Sequence, residues 1–394
     1  MSEEQQTGHE APSPAYDPAQ DTVVVPTAPA RYDEQDPTSP KQAMPTLPPR
    51  MLTQDVLGQA GRRGPFRYGE RVQVTDVKGA RHTFQLDPRG YFQSGRGSFH
   101  HRDVVGLDEG TVLTTASGHE LLLLRPLLAD YVLSMPRGAQ VVYAKDSGQV
   151  IALGDIFPGA RVLEAGVGSG ALTMNLLSAI GESGHLLSIE RRTDFAQIAA
   201  SNVDSWFGRH HPAWELRTGD FAEVTAARVA GASVDRVVLD MLAPWENIAE
   251  SARVLVPGGV LLAYVATTTQ LSRTVEALRH SALFTEPASW ESMVRTWNVD
   301  GLSVRPDHTM VAHTGFLLTA RRLAAGSTPL TRKRPPARGA YDEGGYWLPE
   351  DVKERTSTDR KVRRVLRDSL AKQPLDATPV LSGTPDDEEP DGDA

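Results

Sequence analysis

The chain has 394 residues, a formal net charge of −9 at pH 7 and no cysteine. That length accommodates two or three domains of ordinary size, and the missing cysteine excludes disulfides, thiolate metal sites and cysteine nucleophiles together. The acidic sum argues against a phosphate-rich partner, but much of the acid sits in Glu3 to Asp36 and Asp386 to Asp393, so the sum says little about the rest.

The N-terminus, Met1-Ser2-Glu3-Glu4-Gln5-Gln6, is acidic and polar where an export signal needs a basic and then an apolar stretch, so a cytoplasmic location is expected. Residues 1–50 mix proline with Ser, Thr, Gln and Asp without apolar periodicity, the composition of a disordered tail. Residues 51–125 read as a small β domain. Short alternating runs at Arg71 to Val77, His82 to Leu86 and Thr111 to Thr115 are separated by the turn signals Lys78-Gly79, Pro88-Arg89-Gly90 and Ser117-Gly118. This domain is locally basic, with Arg62, Arg63, Arg67, Arg71, Lys78, Arg81, Arg89, Arg96 and Arg102 against Glu70, Asp76 and Asp87, which marks it for RNA contact. The apolar stretch Glu120 to Leu133 is interrupted by Arg125, Pro126 and Asp130, short of a membrane span.

Residues 126–325 alternate apolar strands with helices, the pattern of a parallel α/β sheet. Strands are expected at Arg161–Ala165, Leu186–Glu190, Trp214–Arg217, Val234–Leu239, Val260–Val265 and Phe316–Ala320. Helices are expected near Thr173–Ile180, Phe195–Trp206, Asn247–Val254 and Leu271–Ser281. Residues 326–394 return to proline, glycine and charge as a mostly disordered tail. Within it, Val362 to Leu370 has helical spacing and reads as a solvated basic helix, with RNA or partner binding as the other reading.

The chemistry concentrates at Glu164-Ala165-Gly166-Val167-Gly168-Ser169-Gly170-Ala171-Leu172, a glycine loop between a strand and a helix. The glycines suit a sharp turn and the close approach of a ligand to the backbone. The spacing of Gly166 and Gly168, with Glu190 downstream, also satisfies the dinucleotide fingerprint. Three acids favour a methyl donor instead. Glu164 stands where a carboxylate suits a cationic amino-acid tail and opposes a pyrophosphate. Asp220 follows the third strand and can face an adenine amine or simply cap a helix. Asp240, with Pro244-Trp245 behind it, lies at the carboxyl edge of the fourth strand, where open α/β sheets bind ligands, and Trp245 offers a wall for a flat base. Together these residues describe a site for S-adenosylmethionine.

The chain also resembles a known family, the bacterial and archaeal tRNA adenine-N1 methyltransferases that modify adenine 58 in the T-loop, and looks similar to its actinobacterial members. The resemblance is carried by Arg96-Gly97-Ser98, Gln140 to Asp146, Leu163 to Leu172, Asp240 to Glu246, Tyr264-Val265-Ala266-Thr267, Arg305-Pro306-Asp307-His308 and His313 to Leu317, and it covers about Pro65 to Arg322. It implies a class I, Rossmann-like methyltransferase with a seven-strand sheet, a small N-terminal β domain and a homotetramer. It further implies that Ser169, Gly170, Ala171, Leu172, Glu190, Phe195, Asp220 and Asp240 contact the donor, and that Tyr143 and Tyr264 help form the pocket of the target base.

In such a site Asp240 would accept a hydrogen bond from the exocyclic amine of adenine and stabilise charge developing on the ring, or take a proton. Tyr143, Trp245 and Tyr264 would stack on a base drawn out of the folded RNA. Arg305, His308 and His313 either bind phosphate or orient the base, or serve as structural hydrogen-bond donors. No ligand set for a metal is apparent. A methyltransferase for protein or small molecules, and a noncatalytic RNA-binding subunit, are the competing readings.

Overall fold

The computed structural model describes residues 62–138, 140–330 and the helix at 359–370. The expected N-terminal tail and most of the C-terminal one lie outside the described residues.

The first domain is built on a four-stranded antiparallel sheet. Its strands are β1 (Arg71–Asp76), β2 (Arg81–Gln85), β5 (Val112–Thr114) and β6 (Glu120–Leu124), in the order β2-β1-β6-β5. The strands β3 (Tyr91–Ser94) and β4 (Gly97–His100) form a separate hairpin. Val72 and Val74 of β1, with Leu121 and Leu123 of β6, bury one face against Phe66, Leu86, Phe92 and Phe99. Leu121 to Leu124 read as one apolar run, yet the pleat sends alternate residues to opposite faces, so Leu122 and Leu124 are only half-buried.

The domain's basic residues are largely committed within the fold. Arg67, Arg81, Arg96 and Arg102 pair with Glu70, Asp130, Asp76 and Asp103. Arg62 and Arg71 stack over Trp206 and Tyr131 of the second domain, at 4.4 and 4.7 Å, and the two aromatic rings stack on each other. These two arginines therefore seat one domain on the other, which corrects their reading as part of an RNA face. Arg63, Lys78 and Arg89 remain exposed.

Two helices lead into the second domain, α1 (Leu128–Ser134) and α2 (Ala144–Leu153). Then come β7 (Arg161–Ala165), α3 (Ala171–Ile180), β8 (His185–Glu190), α4 (Thr193–Phe207), β9 (Trp214–Thr218), α5 (Phe221–Arg228) and β10 (Val234–Leu239). A 3-10 turn at Pro244–Asn247 precedes α6 (Ile248–Val254), β11 (Leu255–Val265), α7 (Thr268–Ser281) and β12 (Ala288–Trp290). The hairpin β13 (Trp297–Asp300) and β14 (Ser303–Pro306) stands apart from the sheet, and β15 (Phe316–Arg321) returns to it. The sheet has seven strands in the order β12-β15-β11-β10-β7-β8-β9, with β15 running antiparallel to the other six.

Both faces of this sheet are covered, which is why its strands are apolar nearly throughout. One face packs on α2, α3 and α4 and the other on α5, α6 and α7, and the residues of each strand alternate between them. Val162, Val238, Leu262 and Tyr264 belong to the first face; Leu163, Val237, Leu261 and Ala263 belong to the second. By the same alternation Asp240, two residues after Val238, lies on the face of Tyr264.

The basic C-terminal segment forms α8 (Asp359–Leu370), which packs along α4 and buries Val365. It is a docked helix rather than the solvated one expected. No helix among the described residues is long and apolar enough to cross a membrane.

Candidate active site

Strand order reverses between β7 and β10, and the crevice outside the carboxyl ends of these strands is the usual ligand position in an open α/β sheet. The backbones of the two strand ends are tied together there. Asp240 N donates to the Ala165 carbonyl at 2.6 Å, and Gly166 N donates to the Asp240 carbonyl at 3.2 Å. The glycine loop is pinned from β8, where Glu190 Oε2 accepts from the amides of Val167 and Gly168 at 2.9 and 3.0 Å. It is pinned again from α4, where Asn202 Nδ2 donates to the Ser169 carbonyl at 2.9 Å. Gly170 begins α3 in the left-handed region, φ 84°, and a Cβ there would come within 3.1 Å of Val203 and 3.3 Å of the Ala199 carbonyl. Only glycine satisfies both demands.

The predicted donor residues occupy different depths. Glu164 is fully buried on the α3 side of β7, with its oxygens taken by Thr173 Oγ1 (3.0 and 2.9 Å) and Ser188 Oγ (2.6 Å), and Trp214 donates in turn to Ser188. It braces β7, β8 and α3 behind the loop, which corrects the expectation that its carboxylate meets a cationic tail in the cleft. Burial pushes its pKa from 4.5 up to about 8, against the pull of the two hydroxyls, and the charges of Asp240 and Glu190 add to the rise. Ala171, Leu172 and Phe195 are also buried, so the first two can meet a ligand only through their backbone. The Phe195 ring lies under the Arg192 guanidinium at 4.2 Å, close to Gly138.

A stability effect follows from Glu164. Between 4.5 and about 8 the folded chain holds a proton that the unfolded chain has released, so this group's contribution to stability falls as pH rises through that window. Glu164→Gln mimics the protonated form. Its melting temperature relative to wild type is expected to climb from about pH 6 to about pH 9; a constant difference in thermal melts across that range would rule the effect out.

Asp220 is exposed and caps α5, with Oδ1 accepting from the Ala222 and Glu223 amides at 2.9 and 3.4 Å. Its second oxygen carries none of these bonds, so the cap and a ligand contact are compatible. Asp240 is partly open at the end of β10, and among the described residues its carboxylate accepts no hydrogen bond. Burial first, and the negative charge of Glu190 second, raise its pKa to about 7. The Ser169 hydroxyl is buried without a partner. A partnerless hydroxyl in the loop and uncommitted carboxylate oxygens on Asp220 and Asp240 fit a ligand carrying amines and a cationic centre, as S-adenosylmethionine does.

The expected base-binding residues fall into two groups. Tyr143 stands at the N-cap position of α2, and Tyr264, next to last in β11, lies on the sheet face of Asp240. Trp245 lies in the 3-10 turn, partly exposed, with one face covered by the Arg273 guanidinium at 4.5 Å. His313 bridges the Glu291 carboxylate (2.8 Å) and the Ala266 carbonyl (3.3 Å), so both ring nitrogens hold structure beside the end of β11. Arg305 on β14 and His308 beyond it lie on the exposed, projecting hairpin segment, not with this group.

Two features escaped the sequence reading. Gln270 donates to the Leu242 carbonyl at 2.9 Å and fixes the loop after Asp240, and Thr267-x-x-Gln270 is a capping box that announces this helix start. The second is a buried charge pair, Lys145 with Asp146, whose partners lie about 150 residues away in sequence at Ser292 and Thr314. No local pattern signals it.

Comparison with known proteins gives the same outline. Residues 64–113 match the family described as TrmI-like N-terminal, and residues 121–305 match the tRNA methyltransferase complex GCD14 subunit. The chain is 33% identical over 257 residues to the tRNA (adenine(58)-N(1))-methyltransferase TrmI of Thermus thermophilus, covering 64% of this chain and 96% of that one. It is 30% identical over 241 residues to the tRNA (adenine(57)-N(1)/adenine(58)-N(1))-methyltransferase TrmI of Methanocaldococcus jannaschii, covering 56% and 84%. Among solved structures, a SAM-dependent O-methyltransferase from Thermotoga maritima superposes with a TM-score of 0.62 at 28% identity, covering 68% and 98%. The tRNA (m1A58) methyltransferase TrmI of Aquifex aeolicus, at 24% identity and TM-score 0.58 over 66% and 100%, shares the fold.

Proposed function

The chain belongs to the TrmI family of tRNA (adenine-58-N1)-methyltransferases, and on that premise we propose that Asp240 is the group that orients the target base. The protein transfers a methyl group from S-adenosylmethionine to N1 of adenine 58 in tRNA. The observation that carries the role of Asp240 is its carboxylate, uncommitted and partly open at the strand end tied to the glycine loop.

S-adenosylmethionine, when bound, supplies an electrophilic methyl group on a sulfonium. Glu190 keeps the loop amides in place and, with Ser169 and Asp220, provides polar atoms for the donor's hydroxyls and amines. Adenine N1 is already a nucleophile, so the protein's task is alignment, which makes the step effectively unimolecular. Asp240 accepts from the exocyclic amine and offsets the positive charge that arises on the ring as the N1–methyl bond forms and the methyl–sulfur bond breaks. Tyr143, Tyr264 and Trp245 form the walls against which the extruded base stacks. Exposed Arg63, Lys78 and Arg89 of the β domain are the cations best placed to meet RNA phosphate. A tRNA substrate and the absence of cysteine support action in the cytoplasm.

The test is to incubate the purified protein with unmodified tRNA and map the methylated nucleotide. A mark at N1 of adenine 58 is expected; methyl transfer to protein alone would sink this reading.

The assembly proposed is a homotetramer. The support for self-association is the β13–β14 hairpin, which projects Trp297, Val299, Leu302 and Val304 into solvent, with Met293, Val294, Met310 and Val311 exposed beside it. A contiguous apolar protrusion of this kind marks a protein contact. Replacing Trp297 by Asp is expected to lower the mass measured by sedimentation or light scattering; an unchanged mass would place the interface elsewhere.

A further inference from the structure

We propose that Gln270 is a positioning residue for methyl transfer, whose carboxamide bridges the ends of β10 and β11 and so sets how Asp240 stands relative to Tyr264. The proposal rests on the role assigned to Asp240.

β10 and β11 run parallel, and their last paired residues are Leu239 and Ala263. Carried one step further, that register sets Asp240 opposite Tyr264, and two steps beyond them it sets Leu242 opposite Ala266. At that level the Gln270 side chain joins the two segments. Its Oε1 accepts from the amides of Ala266 and Thr267 at 3.1 and 3.0 Å, and its Nε2 donates to the Leu242 carbonyl at 2.9 Å. A carboxamide offers the donor and acceptor of a peptide group, so Gln270 continues the ladder past the last backbone pair. The residue is 7% exposed, and water competes little for these bonds.

Helix capping explains half of this arrangement. In a capping box the side chain at the third helical position has only to accept, and Oε1 does so while Thr267 Oγ1 accepts from Gln270 N at 3.2 Å. A glutamate would serve equally well there. The donor on Nε2 has no part in the cap, and it goes to the loop that follows Asp240. Burial does little to hold that loop at Leu242, which is 38% exposed. About one turn along α7, Arg273 lies over the Trp245 ring at 4.5 Å, so the same face of the helix meets the loop twice. The β11 end is anchored from its far side, where the Ala266 carbonyl lies 3.3 Å from His313 Nε2. Gln270 thus ties the Asp240 loop to a fixed neighbour, and alignment at the reacting atoms is where small displacements weigh most on rate.

The test uses three variants. Gln270→Glu keeps the cap and deletes the donor, Gln270→Met deletes both without adding charge, and Thr267→Ala removes the cap hydroxyl while leaving the Leu242 bond. Thermal melting, S-adenosylmethionine affinity by calorimetry and single-turnover transfer at saturating donor and tRNA are measured on the full chain, from about pH 6 to about pH 9. Gln270→Glu is expected to melt like wild type and to bind the donor with near wild-type affinity while transferring about tenfold to a hundredfold more slowly. Its added charge also raises the Asp240 pKa, but that part of the loss vanishes once Asp240 is fully ionised, so the deficit left at about pH 9 reports position. Gln270→Met should show the same deficit with a lower melting temperature. Thr267→Ala should show the lower melting temperature with a wild-type rate.

A wild-type rate in Gln270→Glu at about pH 9, or equal slowing in Thr267→Ala, would overturn the proposal. If Gln270→Glu does not fold, Gln270→Met measured against Thr267→Ala decides, since both weaken the cap and only the first loses the loop bond. Asp240→Ala in the same assay tests the underlying role separately. Wild-type transfer there removes the role of Asp240, whereas slow transfer there beside a wild-type rate in Gln270→Glu removes only the role of Gln270.

Discussion

Replacement of Asp240 by alanine is expected to slow methyl transfer to tRNA by about a hundredfold to ten-thousandfold, the range for removing a positioned acceptor or base, while S-adenosylmethionine still binds with reduced affinity. On the proposed role the two effects separate, because the carboxylate would do two things. As a negative charge near the sulfonium it adds to donor binding, but Glu190, Ser169, Asp220 and the loop amides remain in the variant. As the acceptor opposite the exocyclic amine it acts on a charge that is fully present only as the N1–methyl bond forms, so its loss falls on the rate. Asp240→Asn keeps the shape and one acceptor oxygen without the charge, and its rate should lie between the two. Calorimetry of donor binding and single-turnover transfer, run on the same preparations, distinguish the roles. Turnover close to wild type in the alanine variant would remove Asp240 from the chemistry.

How much of this was legible in the sequence depended on how local the cause was. β7 and β10 fall on their expected residues because a parallel strand buried on both faces must be continuously apolar, and the glycines and acids that end it are sharp boundaries. β3, β4, β13 and β14 went unread: each is four residues long, and the β13–β14 hairpin exposes both faces, so neither length nor alternation marks it. The glycine loop located the donor crevice, but Glu164 and Glu190 look equivalent in sequence. Only the packing shows that Thr173 and Ser188 enclose the first while the second reaches the loop amides. The basic run from Arg62 to Arg102 misled for a related reason, since the partners that neutralise or stack on six of its nine cations include Asp130, Tyr131 and Trp206, which composition cannot place nearby.

Glu190 carries the second large effect, and Glu190→Gln is expected to change two measurements at once. The carboxylate holds Val167 N and Gly168 N through Oε2 and Arg192 N through Oε1, so it organises the loop on which the donor lies. A neutral amide weakens those bonds and turns one acceptor into a donor facing the loop amides or Arg192 N. With charge-assisted hydrogen bonds contributing roughly 1.5 to 3 kcal/mol each, the dissociation constant for S-adenosylmethionine should rise by about tenfold to a hundredfold. The second change concerns Asp240. Its pKa of about 7 comes first from burial and then from the Glu190 charge. In the proposed role Asp240 counters the charge on the ring only when ionised, so in wild type kcat/KM for tRNA should climb with pH through about 7. Removing the Glu190 charge favours the ionised form and lowers the Asp240 pKa, so the rise should move to lower pH, although burial keeps it above that of an ordinary aspartate. The variant therefore loses the most affinity while, at acidic pH, it gains in the fraction of Asp240 ready to act. Measured at saturating donor, the ratio of variant to wild-type rate should increase as pH falls from about 8 to about 6. A ratio independent of pH would mean that Asp240 and Glu190 are not coupled in the working site, whatever their proximity.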